Sequence, residues 1–415
     1  MVTITDLDAR LIFNSRGSKT IEIDVVTDKR HLGRAAAPSG ASVGTLECRS
    51  FPMNSPEKAI EFFDENKSKF VGVTADDPEA LHSIMKEVDP TPNYSKLGGS
   101  VAYALSIASA DSAANTLHVP LFKLLNKNGP YRFPFPLGNV LGGGAHAGPG
   151  TPDIQEVLVV PIGATNIAEA LKMNFQIHKE VRNIIQRYDT KFTYGRGDEG
   201  AWAPNVTNDE ALQITEEAIS NAGFNLGQHV AMGIDFASSS IWDAASRKYD
   251  YSRKGRALSS EEQIDYVNNL IKSYKLLYVE DPVNEEDFSG MSLITSANPG
   301  CIVTGDDLLV TNVSRLTIAA KHRACSGAIL KVNQAGSLYD ALQFANGCRN
   351  DRVAIITSHR SGESTDSHIA HIAIATGSKM IKTGILGGER IAKLNELLRI
   401  REYGLIEGMA EICSV

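Results

Sequence analysis

The stretch LLYVEDPVN, residues 276–284, is an apolar run that stops at two acidic residues and a proline. Its short length, its content of Leu, Tyr and Val, and the proline that follows predict a strand that is buried on both faces. A carboxylate at the end of such a strand is costly unless a positive group meets it. We therefore expect Glu280 to face a cation or a cationic side chain.

The same pattern, an apolar strand that ends at a charged or titratable residue, recurs in the second half of the chain. The strands are VAMGID, CIVTGD, GAILK, VAIITSH and KMIK, which end at Asp235, Asp306, Lys331, His359 and Lys382. Repeated units of one strand and one helix predict an α/β fold with a parallel sheet, and their number favours a closed, TIM-like β/α barrel. The carboxyl ends of barrel strands meet on one face, so we expect these side chains to share one site.

The N-terminal part of the chain has a different pattern. TIEIDVVT, residues 20–27, alternates apolar and polar residues as an antiparallel strand does, and stretches with helical spacing follow. This order predicts an α+β capping domain over residues 1–128 and a catalytic barrel domain over residues 129–415. The boundary falls in the Gly- and Pro-rich segment 126–139.

Composition excludes several classes of protein. The net charge of -8 and the absence of a basic cluster argue against nucleic-acid binding. The five cysteines are scattered and include no C-x-x-C pair, which is typical of reduced thiols in a cytoplasmic protein. The sequence shows no secretory signal and no apolar run long enough to cross a bilayer, so we expect a cytoplasmic protein without membrane insertion.

Three of the strand ends carry carboxylates, namely Asp235, Glu280 and Asp306. Three converging carboxylates repel one another unless a cation lies among them. An oxygen-only set without Cys or His favours Mg²⁺ over Zn²⁺. The alternative is that some of these acids form ion pairs with Lys or Arg across the mouth of the barrel.

The basic strand ends suit proton removal and anion binding. A lysine beside a divalent cation and a second lysine has a lowered pKa, so Lys331 or Lys382 can serve as a general base. The alternative for each lysine is an ion pair.

His359, Arg360 and Ser361 follow one strand together, and an Arg beside a hydroxyl binds phosphate or carboxylate well. The same three residues are also compatible with a capped turn.

Three loops add candidate residues. The small residues of AAAPSGASVG, residues 35–44, suggest a lid in which Ser42 contacts the ligand. His146 lies in the glycine-rich loop LGGGAHAGPG, and DIQE places Glu156 at the predicted end of another strand. GRGDEG, residues 195–200, matches G-x-G-x-x-G, but the proline that soon follows argues against the helix of a dinucleotide site. Glu199 is better explained as an acid at the barrel mouth and a possible proton donor.

The motifs SRG, AAAPSGAS, HAG, DIQE, GDEG, GDDLLVTN, LKVNQ, SHRSGE, IKTG and AKLNELLRI occur in this order. In these motifs the chain resembles the enolase family from end to end, and NVLGGG and GDEGAWAP are most like its archaeal members. The resemblance implies reversible, magnesium-dependent dehydration of 2-phospho-D-glycerate to phosphoenolpyruvate in glycolysis and gluconeogenesis. It also implies a homodimer or a larger homo-oligomer.

The resemblance further implies a role for each matching residue. Lys331 would remove the proton from carbon 2, and Glu199, with Glu156, would help the carbon 3 hydroxyl to leave. The tighter of two Mg²⁺ ions would be held by Asp235, Glu280 and Asp306. The substrate and the second Mg²⁺ would be contacted by Lys382 at the carboxylate, Arg360 and Ser361 at the phosphate, Ser42 at the second metal, and His146, Gln155 and His359 around the closed pocket.

Three alternatives remain open at the level of sequence. A racemase or acid-sugar dehydratase of the wider superfamily would share the metal-binding acids but would lack the SHRSG phosphate site. An enolase-like binding protein without turnover would be expected to have lost Lys331 or Glu199, which are both present. A metal-dependent barrel hydrolase would carry metal-binding histidines at its strand ends. One departure from the family concerns Ser18 and Lys19, which replace the Asn and Pro of its SRGNPT turn.

Overall fold

The computed structural model describes residues 1–28, 30–40, 46–251, 253 and 255–412. The chain opens with a three-stranded antiparallel sheet formed by β1 (Ile4–Phe13), β2 (Lys19–Thr27) and β3 (Leu32–Ala36). As the alternating pattern predicted, Ile21, Ile23 and Val25 lie on one side of β2 and are fully buried. The helices that follow are α1 (Pro56–Asn66), α2 (Pro78–Val88), α3 (Gly99–Leu117) and α4 (Leu121–Leu125).

Helix α3 covers the buried face of this sheet. Its sequence is rich in Ala and Ser, and nearly all of its residues are buried. A Cβ atom at Gly33 in β3 would clash with the carbonyl oxygen of Ala108, so strand and helix meet backbone to backbone there. Small residues on both elements therefore allow α3 to pack close to the N-terminal sheet.

In the described part of the chain, eight further strands close into a barrel. In barrel order they are β4 (Phe135–Gly142), β5 (Glu156–Val160), β6 (Ala231–Asp235), β10 (Tyr278–Glu280), β11 (Ile302–Gly305), β12 (Gly327–Leu330), β13 (Ala354–Ser358) and β14 (Met380–Lys382). The long separation between β6 and β10 contains a small antiparallel sheet of β7 (Trp242–Asp243), β8 (Lys248–Tyr251) and β9 (Arg256–Leu258). The predicted barrel is confirmed.

Helices alternate with most of these strands. They are α5 (Ile167–Tyr188), α6 (Asn208–Asn221), α7 (Ser260–Tyr274), α8 (Phe288–Ala297), α9 (Val313–His322), α10 (Val332–Ala335), α11 (Leu338–Asn350), α12 (His368–Ala375) and α13 (Gly388–Arg401). Among the described helices, none is long and apolar enough to cross a membrane.

Strand β5 departs from the parallel arrangement, since it runs antiparallel to both β4 and β6. Residues 143–155, which connect β4 to β5, contain a short 3-10 turn at Gly144–His146 but no α-helix, whereas a parallel crossover usually needs a helix. Glu156 therefore begins β5, and the prediction that it ends a strand is wrong. Because β5 is reversed, its first residue still lies on the face where its neighbours end, and Glu156 pairs in register with Asp235.

Candidate active site

The face of the barrel formed by the strand ends contains a small cavity of about 50 Å³. Five of the six predicted strand-end residues line it, namely Asp235, Asp306, Lys331, His359 and Lys382. The predicted loop and substrate residues also line it, namely His146, Gln155, Glu156, Glu199, Arg360 and Ser361. Ser42 lies outside the described residues. The structure thus gathers side chains from distant parts of the sequence into one site.

Lys382 provides the positive partner that the sequence predicted for Glu280. Its Nζ lies 2.7 Å from Glu280 Oε2, 2.8 Å from Asp235 Oδ2 and 3.1 Å from Glu156 Oε2. Burial lowers the pKa of Lys382, but the three carboxylates outweigh burial and raise it well above its usual value. Tyr278 also donates a hydrogen bond to Glu280, at 2.6 Å. Lys382 is therefore a charged ammonium group that holds three strand ends together.

Lys331 forms an ion pair with Asp306. Burial lowers the pKa of Lys331, but the charges of Asp306 and Glu280 together outweigh burial, so the net pKa is raised. The lowered pKa predicted for this lysine assumed a metal cation nearby. In this structure both lysines form the ion pairs of the alternative interpretation, Lys331 with Asp306 and Lys382 with Asp235 and Glu280.

The carboxylates of this face are crowded. Burial raises the pKa of Glu280 well above its usual value, and the charges of Asp235 and Asp306 raise it further. One oxygen each from Asp281, Asp306 and Asp307 lie within 4.8 Å of one another, close enough to hold a metal ion. Hard, oxygen-only donors in excess of their cationic partners fit a divalent cation such as Mg²⁺. These acidic residues could therefore bind a metal.

A second group of acids lies around His146. Its Nδ1 is 3.1 Å from Glu156 Oε1 and 3.5 Å from Glu199 Oε1, and Asn139 donates a hydrogen bond of 3.1 Å to Glu199 Oε2. Both Glu156 oxygens are buried without a well-aligned hydrogen bond to any described residue. Buried oxygens of this kind usually mark a place where a ligand or water completes the bonding.

The pKa values around His146 suit proton transfer. Burial lowers the pKa of His146, but Glu199 and Glu156 raise it to about 9. Burial and the charge of Glu199 raise the pKa of Glu156 to about 7. Burial lowers the pKa of His359 to about 4 despite nearby Glu199, so His359 is neutral at pH 7. Burial raises the pKa of Glu199, but His359 and His146 together outweigh burial and hold this pKa well below its usual value.

Arg360 is placed to bind an anion. Its Nη1 and Nη2 form a two-pronged ion pair with Glu47, at 2.9 and 3.2 Å. Glu47 also accepts a 3.4 Å hydrogen bond from Gln334, which donates to Asp306 at 3.0 Å as well. Paired Arg donors bind carboxylate and phosphate in the same geometry. Ser361 lies buried beside this corner of the cavity.

Sequence reasoning missed several residues of the site. They are Glu47, Asn139, Asp281, Asp307, Gln334 and Arg390. Asp281 and Asp307 directly follow predicted strand-end acids, and Gln334 lies one helical turn after Lys331, so their positions held a usable signal. Glu47, Asn139 and Arg390 reach the site only through the tertiary fold, and their local sequence carried no such signal.

The geometry defines what the site can do. Lys331 and the Glu156–Glu199 pair line one cavity together with the anion-binding side chain of Arg360. A basic amine and an acid pair in one buried pocket can remove one proton and deliver another to the same substrate. The acidic strand ends can hold a metal beside them.

Comparison with known proteins agrees with this geometry. Residues 4–125 match the family model described as the enolase N-terminal domain, and residues 130–408 match that of the enolase C-terminal TIM barrel domain. An enolase from Methanosphaera stadtmanae is 45% identical over 99% of both chains, and one from Methanothermobacter thermautotrophicus is 43% identical over 99% of both. An enolase from Pyrobaculum aerophilum is 40% identical over 96% of both. With both of its halves matched and these relatives similar over nearly their whole length, the chain belongs to the enolase family.

Proposed function

We propose that this chain catalyses the reversible dehydration of 2-phospho-D-glycerate to phosphoenolpyruvate, with Mg²⁺ as cofactor. The observation that carries the proposal is the placement of Lys331, the Glu156–Glu199 pair and Arg360 around one cavity. The reaction removes a proton from carbon 2 and a hydroxyl from carbon 3 of an anionic substrate. It therefore needs a base, an acid and an anion-binding group within reach of one small molecule.

Lys331 is the proposed base. It directly follows β12, so the barrel strand fixes the start of its backbone, and its amide donates a 2.9 Å hydrogen bond to Thr311 Oγ1. Its ammonium group is held by Asp306, whose charge raises the pKa of the amine. If Asp306 binds a metal instead, Lys331 loses this partner while it keeps its positive neighbours Arg360 and Lys382. Its pKa then falls, which gives a neutral amine that can accept the proton.

Glu199 is the proposed acid, with Glu156 as its partner. A leaving hydroxide needs a proton, and Glu156, with a pKa of about 7, retains one near neutral pH. Glu199 and Glu156 face the same ring nitrogen, His146 Nδ1, so this N–H group can give its proton to Glu199 and take another from Glu156. Glu199 is thereby supplied with the proton that it gives to the carbon 3 hydroxyl.

We assign the tighter Mg²⁺ site to Asp235, Glu280 and Asp306, whose mutual repulsion contributes to the raised pKa of Glu280. When bound, magnesium stabilises the negative charge that develops on the substrate carboxylate. A metal held by these three residues would compete with the ion pairs that Lys382 and Lys331 make with them. Lys382 is then free to bind the substrate carboxylate.

The remaining contacts follow from the walls of the cavity. Arg360 and Ser361 are the proposed phosphate ligands, and Glu47 holds the place of an anion on the Arg360 guanidinium. Gln155 and His359 complete the pocket around the substrate. Ser42, which lies outside the described residues, is proposed to contact a second Mg²⁺ together with the substrate.

We propose that residues 1–128 cap the catalytic barrel of residues 129–415. Contacts between the two parts support this division, because Ser39 pairs with Gly362 and Ser15 donates a 3.3 Å hydrogen bond to the carbonyl of Ser361. Residues of the capping part thus support the phosphate-binding loop directly. We expect Ser15→Ala to weaken phosphate binding. An unchanged phosphate affinity in this variant would contradict the proposal.

We further propose a cytoplasmic homodimer, or a larger homo-oligomer. Phe13, at the end of β1, is 70% exposed, and contact with another copy would cover it. Among the described residues, four cysteines are free and buried, as expected in a reducing cytoplasm. Sedimentation of the purified protein tests the assembly, and a stable monomer at micromolar concentration would contradict it.

The activity is tested by incubating the purified protein with 2-phosphoglycerate and Mg²⁺ and following the ultraviolet absorbance of phosphoenolpyruvate. We expect the absorbance to rise, and to stop rising when EDTA removes the metal. Circular dichroism on the same sample establishes that the protein is folded. Folded protein that forms no phosphoenolpyruvate with Mg²⁺ present would overturn the proposed function in favour of a binding protein without turnover.

A further inference from the structure

Arg390 is the largest fully buried side chain of the described residues, and no step proposed above uses it. It lies in the first turn of α13, after the last barrel strand. A guanidinium group stays protonated and is costly to bury, so it is retained only where it makes several well-directed contacts. Its partners therefore indicate what it does.

The Arg390 guanidinium connects two segments of the proposed active site. Nη1 donates to the carbonyl oxygen of Arg360 at 2.7 Å, and Nη2 donates to the carbonyl oxygen of Ser361 at 2.6 Å. Nη2 also donates to the carbonyl oxygen of Asp198 at 3.0 Å. One side chain thus holds the backbone of the phosphate-binding loop and the backbone just before Glu199.

The fourth contact sets the state of a histidine. Arg390 Nη1 lies 2.7 Å from His359 Nδ1. Arginine has no acceptor atom, so His359 Nδ1 must be the unprotonated, accepting nitrogen. The ring proton of the neutral imidazole then lies on Nε2, which is 3.1 Å from Glu199 Oε1. Arg390 therefore selects the tautomer of His359 that presents an N–H group to Glu199.

We infer that Arg390 is a positioning residue for the elimination step, which acts by fixing His359 as its Nε2–H tautomer against Glu199. The inference rests on the proposed function for its effect on turnover, but the tautomer itself is a property of the protein alone. A purely structural role would require only that the cavity around Arg390 stay filled. A positioning role requires the directed donor to His359.

Lysine is the informative replacement. Its ammonium group keeps the charge but lacks the planar fork of donors that reaches His359 and the loop carbonyls together. We expect Arg390→Lys and Arg390→Ala to lower kcat by about 10²-fold, the loss typical of a misplaced catalytic group. Guanidinium ion, added at a non-denaturing concentration, should restore part of the kcat of Arg390→Ala.

Arg315 provides a matched control. It is also buried, lies in α9, and donates to the carbonyl oxygens of Leu308 at 2.7 Å and Glu285 at 2.6 Å. Its side chain does not line the cavity among the described residues. Arg315→Lys should lower the melting temperature without changing the state of His359, because it removes a buried guanidinium away from the reacting groups.

The tautomer is measured by ¹⁵N NMR on protein labelled at histidine, without substrate, with the His359 signal identified by its loss in His359→Gln. We expect His359 to carry its ring proton on Nε2 in the wild type and in Arg390→Ala with guanidinium ion. In Arg390→Ala alone we expect a mixture of the two His359 tautomers. An Nε2–H signal that is unchanged in both Arg390 variants would overturn the inference. A wild type with the expected tautomer but without turnover would refute the proposed function and leave the positioning contact standing.

Discussion

Replacing Lys331 with alanine is expected to lower kcat for phosphoenolpyruvate formation by about 10³-fold, within the range that a general base contributes. The expected loss is large because Lys331, which directly follows a barrel strand and pairs with Asp306, is the proposed base. Lys382 does not replace it, since Lys382 is assigned to the substrate carboxylate. The steady-state rate at saturating 2-phosphoglycerate and Mg²⁺ measures this effect. KM should change little, since the lysine acts on the proton and not on the phosphate.

The matched control is Lys321→Ala, which removes an exposed lysine from α9 and should leave kcat unchanged. Thermal melting of both variants separates a catalytic loss from a folding defect. A Lys331→Ala variant that is folded and retains kcat within tenfold of the wild type would show that another group removes the proton.

Replacing Glu280 with glutamine is expected to lower kcat/KM by about 10³-fold, because a proposed Mg²⁺ ligand and its charge are removed from the site. Without Mg²⁺, the same change relieves repulsion among the buried carboxylates, since burial and the neighbouring acids raise the pKa of Glu280. We therefore expect Glu280→Gln to melt no lower than the wild type in EDTA. Added Mg²⁺ should raise the melting temperature of the wild type but not that of the variant.

Glu261→Gln serves as the control for this substitution, since Glu261 is exposed in the first turn of α7. It should respond to Mg²⁺ as the wild type does, in both melting temperature and kcat/KM. If Glu280→Gln showed the full Mg²⁺-dependent rise in melting temperature, the assignment of Glu280 as a metal ligand would be wrong.

The barrel and much of its site could be predicted because the signal is local. Each strand is a short apolar run, and its last or next residue carries the chemistry, as at Asp235, Lys331 and Lys382. The closed sheet then brings these positions to one face without further information.

The features that escaped prediction depend on tertiary structure. The reversal of β5 follows from the absence of a crossover helix, and it changes Glu156 from the end of a strand to its beginning. The raised pKa of Lys331 follows from its ion pair with Asp306, which no sequence spacing reveals. Glu47 and Arg390 come from opposite ends of the chain and meet the site only through packing.

The most direct test of the proposed division of labour is the exchange of the carbon 2 proton of 2-phosphoglycerate with deuterium in heavy water. It is measured by NMR beside phosphoenolpyruvate formation, in the wild type, Lys331→Ala and Glu199→Gln. We expect Glu199→Gln to retain exchange while it loses phosphoenolpyruvate formation by about 10²-fold or more, and Lys331→Ala to lose both. Exchange that persists in Lys331→Ala, or that disappears in Glu199→Gln, would contradict the assignment of Lys331 as base and Glu199 as acid.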